Sequence, residues 1–298
     1  MKSKHLSLEL NQQETLPTLP GFPISCLLTT FTEKGYQLVD WHWHEQIQIC
    51  YTTEGSILWS TDHQQFEVEK GKAFFINSQV LHRSSSVTTE ASYFCLAVPP
   101  SFLCPDSKSQ FFKENVQTII DEGNLQYKVL DSTDKLSLEI IQLLKEIVNL
   151  LNSQESIHSF EIISKVFTIW SKLFIMFKPL LTGTPVIQND RAKQMILYIQ
   201  KHFSEPMTLS DLASHLQLSR SETSREFKRH LNQTMSEYLL HYRLKTAQKL
   251  LVETKEPIVT ICYQCGFNDQ SYFTKKFREV VGLTPKQYRN KQSSNKKS

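Results

Sequence analysis

Close to the end of the 298-residue chain, Phe273, Phe277 and Val281 recur at every fourth position, with Gln270, Ser271, Thr274 and Lys275 set among them. Four-residue spacing gathers the apolar side chains on one buried helical face. The other face then offers an amide, two hydroxyls and an ammonium, with Arg278 toward the helix end. The chemistry those groups can do is hydrogen bonding to the edges of a duplex, lysine to guanine and glutamine to adenine. Some fifty residues earlier the same division recurs: Thr223, Phe227 and Leu231 form the apolar set. Ser221, Ser224 and Arg225 form the polar one, and Lys228 follows as a second phosphate-reaching cation beside Arg278. A solvated amphipathic helix carries a similar basic face, so a single copy says little. Two copies say more.

The elements that must hold these faces are legible around them. Setting "LSDLASHLQLSRSETSREFKRH" above "IVTICYQCGFNDQSYFTKKFRE" aligns Leu212 with Ile261 at an offset of 49, and Phe227 with Phe277 at 50, so one residue is added in the turn. Each copy reads as a helix-turn-helix, at 208–230 and 258–280. Between them "SEYLLHYRLKTAQKLLVET" (236–254) lacks glycine and proline and packs through Leu239, Tyr242, Ala247, Leu250 and Leu251. Such a rod can hold two recognition helices about one DNA turn apart, roughly 34 Å. Charge agrees with an anionic partner: from Val186 onward there are 19 Lys+Arg against 10 Asp+Glu, whereas residues 1–185 carry 14 against 20. Three of those lysines sit in the terminal "NKQSSNKKS", and the excess survives their removal.

The run from "LSDLASHL" to "TPKQYR", above all "GF-x-D-x-SYF-x-x-x-F" and "G-x-TP-x-x-YR", resembles the DNA-binding domain of AraC/XylS-type bacterial transcription regulators. The likeness covers residues 190–289 and implies seven helices, the rod being the fourth. It also implies an effector-responsive regulator of promoter DNA, an activator in preference to a repressor, acting as a homodimer and contacting RNA polymerase. Two departures stand out. Asn232 takes the place of a helix-ending glycine, and asparagine tolerates the left-handed turn; Cys262 takes the place of an alanine and is a small core filler.

Upstream, "ISCLLTTF", "YQLVDWHW", "QIQICYT", "SILWST", "QQFEVEK", "KAFFIN" and "ASYFCLAV" read as short strands without helices between them, a sandwich or small barrel. A helical period follows: Leu136, Ile140, Leu143, Leu144, Ile147 and Leu151 make one stripe, and Ile162, Val166, Ile169, Trp170 and Leu173 a second. That first stripe either covers the β-domain or meets its twin in a dimer. The expected fold is multidomain α+β: a cupin-like β-barrel sensing domain (1–104), a helical pair for dimerisation and a linker (105–184), and an all-α DNA-binding domain (185–298).

"WHWHEQIQICYTTEGS" and "EKGKAFFINSQVLHR" resemble the cupin-type sensor found before such DNA-binding domains. By that resemblance a metal site takes two histidines one residue apart, a glutamate four residues on and a later histidine. His42, His44 and His82 stand at three of those places, but Gln48 replaces the carboxylate, so neither metal nor cofactor is expected. Strand alternation leaves two choices for the face carrying His42, His44, Gln46, Gln48 and Cys50: lining a pocket or facing solvent. The cupin likeness favours an effector pocket of His42, His44, Gln46, Gln48, Trp59 and His82, with Trp41, Trp43, Phe66 and Tyr93 near in sequence. A polar, aromatic-rimmed cavity suits a sugar or similar polyol, and metabolic genes as targets.

The start "MKSKHLSLELNQQETLP" has no signal-peptide core, and "VFTIWSKLFIMFKPLL" is interrupted by Lys172 and Lys178, so a cytoplasmic protein without membrane contact is expected. Six scattered cysteines fit a reducing compartment, and the Cys262, Cys265 pair lacks zinc-site partners. The rival reading is a cupin metalloenzyme, an isomerase or dioxygenase, with a helical appendage.

Overall fold

The computed structural model describes residues 21–32, 38–61, 64–152, 159–184 and 190–295. The stretch read for a leader, the first residues of the strand expected at 36–43, the turn after the first long helix, the linker from Pro185, and Lys296 and Lys297 lie outside them. The chain forms two compact units, Met1–Gln188 and Asn189–Ser298.

In the first unit, nine strands among the described residues make two antiparallel sheets. They are β1 (Ser25–Phe31), β2 (Leu38–His42), β3 (Ile47–Glu54), β4 (Ser56–Thr61), β5 (Gln65–Glu69), β6 (Ala73–Ile76), β7 (His82–Ser86), β8 (Ala91–Val98) and β9 (Tyr127–Leu130). One sheet has the order β1-β8-β3-β6-β9, the other β2-β7-β4-β5. Among the described residues no ladder zips the two into a closed cylinder, and the cupin-like barrel takes the form of two facing sheets. Alternation along the strands sorts the side chains. Cys50, Phe74, Tyr93 and Cys95 pack between the sheets with Trp59 and Ile57, whereas Ile47, Ile49, Phe75, Phe94 and Leu96 point to the other side of the larger sheet.

That other side is covered by helices. After α1 (Pro100–Leu103), α2 (Gln110–Phe112), a π turn (Lys113–Gln117) and α3 (Thr118–Ile120), the long pair α4 (Lys135–Asn152) and α5 (Ser159–Phe177) lies in one core with the sheet. Ile140, Leu144 and Ile147 are fully buried there, and Leu136, Leu143 and Leu151 are half-buried. The α4 stripe is therefore consumed by its own chain: it covers the β-domain, and a twin helix has no access to its centre. The helical pair is no third body. Each buried Leu or Ile contributes about 1.5–3 kcal/mol, which would be lost if α4 turned outward. Ion pairs Glu146–Lys165 (2.7 Å) and Glu139–Lys172 tie α4 to α5 along the rim.

The second unit is all helix: α6 (Asp190–His202), α7 (Leu209–Leu216), α8 (Arg220–Leu231), α9 (Met235–Glu253), α10 (Ile258–Gln264), α11 (Gln270–Val281) and α12 (Pro285–Asn295). Reciprocal capping boxes start α7 (Thr208, Asp211), α8 (Ser219, Glu222) and α9 (Thr234, Glu237). No helix among the described residues is long and apolar enough to cross a membrane.

Candidate functional site

The two helix-turn-helix units repeat in bonding as well as in sequence. Gln217 ends α7 in the left-handed region at φ 56°, and Gly266 does the same after α10 at φ 76°. In each turn the next amide reaches back to the same place, Leu218 N to Ala213 O and Phe267 N to Cys262 O. The N-caps that follow are Ser219 and Asp269, so one extra residue lies between turn and second helix in the C-terminal copy. Asn232 closes α8 at φ 50° and Gly282 closes α11 at φ 78°, each donating its amide to the fourth carbonyl before it.

Gly266 has a second reason to be glycine. A Cβ there would stand 2.6 Å from the carbonyl oxygen of Phe203. That oxygen accepts from Nε of Arg243 on α9 at 2.7 Å, while the same guanidinium donates to Glu205 O at 2.8 Å and lies 5.9 Å from the Phe267 ring centroid. One rod residue thus ties the end of α6 to the turn of the second unit. Sequence gave no hint of it beyond a basic residue on a helix.

α8 and α11 present the expected faces. Thr223, Phe227 and Leu231, like Phe273 and Phe277, are buried; Val281 is half-buried. Ser221, Ser224, Arg225, Lys228, Gln270, Ser271, Lys275 and Arg278 are exposed, and Thr274 is half-exposed. Gln270, Ser271, Thr274, Lys275 and Arg278, with Glu279 and Thr284, line an open concavity along α11. Among the described residues no salt bridge engages Arg225, Lys228, Lys275 or Arg278, whereas Arg229 pairs with Glu226 (2.6 Å) and Lys276 with Glu279 (2.8 Å). The four cations singled out by spacing face outward, and Arg220 at the start of α8 is exposed beside them.

Cys262 and Cys265 are fully buried free thiols in the core that α9 shares with α10 and α11. Burial pushes the Cys265 thiol up to about 12 and raises Cys262 as well, which keeps both as unreactive thiols.

In the first unit, the run carrying His42 and His44 is not one strand. It leaves the smaller sheet after His42 and enters the larger at Ile47, so its even-numbered residues do not share one face throughout. Gln48 and Cys50 are buried, and Cys50 faces the space between the sheets. The histidines still come together. His42 pairs with His82 across β2 and β7, their ring centroids are 4.1 Å apart, and His44 stands 5.1 Å from His82. All three are buried, at 3%, 1% and 0% exposure. Each Nδ1 donates to a carbonyl two residues away: His42 to Asp40 at 2.7 Å, His44 to Gln46 at 2.8 Å, His82 to Val80 at 2.8 Å.

Trp59 joins the group with its ring 6.1 Å from His82 and 5.0 Å from Tyr93, whose hydroxyl is 3.3 Å from Ser84 Oγ. Gln46 is half-buried and contributes its backbone carbonyl, where a side-chain role was expected. Of the other aromatics, Trp41 is buried under Arg83 and Phe66 stacks on Tyr127. Nε2 of His82, Oε1 of Gln48 and the indole N–H groups of Trp41 and Trp59 are buried without a hydrogen-bond partner among the described residues. Each such group costs about 1–3 kcal/mol. Burial first, then the neighbouring His42 and His44, hold His82 well below the ordinary imidazole value, so it is neutral.

A profile described as a helix-turn-helix domain matches residues 212–291, and one described as an AraC-like ligand binding domain matches residues 29–164. The uncharacterized HTH-type transcriptional regulator YdeC of Bacillus subtilis (strain 168) is 31% identical over 283 residues, 94% of this chain and 95% of its own length. The HTH-type transcriptional activator RhaS of Enterobacter sp. (strain 638) is 23% identical over 83% of this chain and 86% of its own. Among solved structures, ToxT from Vibrio cholerae aligns over 89% of this chain and 97% of its own, with 15% identity and a TM-score of 0.47. The twin helix-turn-helix unit behind a β-sheet domain is that of a DNA-binding transcription regulator with a ligand-binding half. The chain belongs to the AraC family of HTH-type transcription regulators.

Proposed function

We propose that the chain reads promoter DNA as an effector-responsive dimer, with α8 and α11 entering successive major grooves. Ser221, Ser224 and Arg225 on the first helix and Gln270, Ser271, Thr274 and Lys275 on the second take the base edges; Lys228 and Arg278 take phosphates. The observation that carries the reading is the pair of equivalent outward faces, each with at least two exposed cations outside any salt bridge among the described residues, mounted on one 19-residue rod about 28 Å long. The buried polar group around His42, His44, His82 and Trp59 is the effector end, and its ligand is a small molecule. The name of RhaS, an activator, favours activation, with RNA polymerase as the further contact. We read the protein as a cytoplasmic regulator, not an enzyme, because regulation uses both halves of the chain and catalysis uses one.

The dimer face is assigned to the outer side of α5, where Phe160, Phe167 and Ile175 are 82%, 42% and 57% exposed. Selection of random double-stranded oligonucleotides by the full-length chain at modest ionic strength tests the reading. Enrichment of paired subsites about 10 base pairs apart is expected; recovery of an unbiased pool overturns it.

A further inference from the structure

We infer that His42, His44 and His82 form a seat for a late first-row divalent metal ion, and that its occupancy is felt at residues 182–184, the last described before the DNA-binding unit. This deepens the effector-responsive reading and rests on it.

One ring nitrogen from each histidine lies within 4.8 Å of the others, close to what a shared ion requires. The three Nδ1 atoms already donate to carbonyls, which fixes each tautomer with its ring lone pair on Nε2, as outer partners of metal-bound histidines do. Nε2 of His82 is fully buried and has no hydrogen-bond partner among the described residues, and an ion would satisfy it. Three buried imidazoles can be mere core, but ring packing does nothing for the buried, unsatisfied Nε2 of His82. Nitrogen donors without a carboxylate select zinc, nickel, cobalt or copper over magnesium or manganese. Such a seat departs from the histidine-plus-glutamate pattern, and so does the metal it prefers.

From the seat a series of hydrogen bonds joined by short stretches of backbone leads away. Gln79 N donates to His44 O (2.8 Å) and Ser78 Oγ to Glu45 O (2.7 Å), in a turn where Gln79 is held at φ 61°. Ser78 N donates to the Asn77 side chain, whose Nδ2 donates to Ile119 O (2.8 Å) and Leu125 O (2.9 Å). Inside that loop, the Glu122 carboxylate accepts from Thr182 N (2.7 Å) and Gly183 N (3.0 Å), and Gly123 N donates to Thr184 O (2.8 Å). An ion that stiffens the His44 end is thus connected to 182–184 through two side chains, Asn77 and Glu122. It shifts the regulator only as far as it prefers one arrangement of that run.

The test uses untagged full-length protein stripped with a chelator and titrated with cobalt(II), zinc(II) and, as control, magnesium(II). Expected are one cobalt per chain with visible ligand-field absorption, a raised melting temperature with zinc and not magnesium, and slower amide exchange at 182–184. His82→Ala, which removes a ligand itself, lowers the affinity by more than the roughly 10–100-fold that loss of an outer partner costs. Asn77→Ala keeps the cobalt spectrum and loses the added protection. No uptake by folded wild-type protein, or uptake unchanged in His82→Ala, overturns the seat; protection kept in Asn77→Ala overturns the transmission. If His82→Ala does not fold, the wild-type cobalt spectrum decides. DNA selection by the same preparation, with and without zinc, separates the two readings: selection without metal uptake removes this inference alone, and no selection under either condition removes the regulator reading.

Discussion

Arg225 and Lys275 stand at equivalent points of α8 and α11, exposed and outside any salt bridge among the described residues. Replacing either with alanine is expected to weaken binding to a selected operator by about 1–3 kcal/mol while leaving affinity for unrelated duplex nearly unchanged. Lys228→Ala and Arg278→Ala should instead weaken every sequence alike and lower the slope of log K against log salt by about 0.9 each. Gel-shift titrations at two salt concentrations separate the pairs, and equal affinity in all four variants removes these residues from the interface. These positions were readable because the phenylalanines at every fourth residue fix which side is inside. The histidine cluster was only half readable. His42 and His44 adjoin in sequence, but what brings His82 to them is the pairing of β7 with β2, a long-range fact that no local spacing contains.

Gly266 and Glu122 show how much rests on single turns. Gly266→Ala forces a Cβ into the left-handed region and against the Phe203 carbonyl, and is expected to cost roughly 2–4 kcal/mol. Gln217→Gly at the matching place should be near neutral or stabilise by up to about 1 kcal/mol; urea melts of both report the contrast. Burial pushes the Glu122 carboxyl up, yet bonds from the Thr182, Asn124 and Gly183 amides and the Thr182 hydroxyl outweigh it and hold the group below its usual value. A depressed carboxylate stabilises the fold above its unfolded pKa and loses that contribution as pH falls through the folded one. Glu122→Gln should therefore destabilise by about 1–3 kcal/mol at neutral pH, and the difference from wild type should start to shrink as pH drops below the ordinary glutamate value of about 4.3 and vanish only once pH is under the lower folded value. A gap that persists in acid would show that the charge is not what matters. Seven of the nine strands follow from β-branched and aromatic runs. β7, "HRSSS", lacks the β-branched and aromatic residues that mark the other strands, and β9, "YKVL", is a short edge strand inside the range 105–184 expected to hold the helical pair and linker. Both depend on partners distant in sequence.

For the chain as a whole, the split between an acidic N-terminal part and a basic C-terminal part was visible in composition, and so was the repeat. The fate of the α4 stripe was not, since a helix with one apolar face has the same pattern whether a sheet or a second chain covers it. With that face spent on the sheet, the proposed dimer is expected to use α5. Phe160→Glu combined with Ile175→Glu is expected to convert a dimer to a monomer in sedimentation velocity with the far-ultraviolet spectrum retained, because both side chains are more than half exposed in the single chain. A dimer that persists clears α5 of that role.

The additional residue between Gly266 and Asp269 gives the molecule a head and a tail. It lies in the non-helical turn before the Asp269 cap, so the two copies differ in the link between their helices while α8 and α11 keep the same arrangement of faces. The two probes also carry unlike letters, hydroxyls with arginine on one and an amide with lysine on the other. A target written for one chain is an arrow, and flipping it end for end relative to the start of transcription yields a different message.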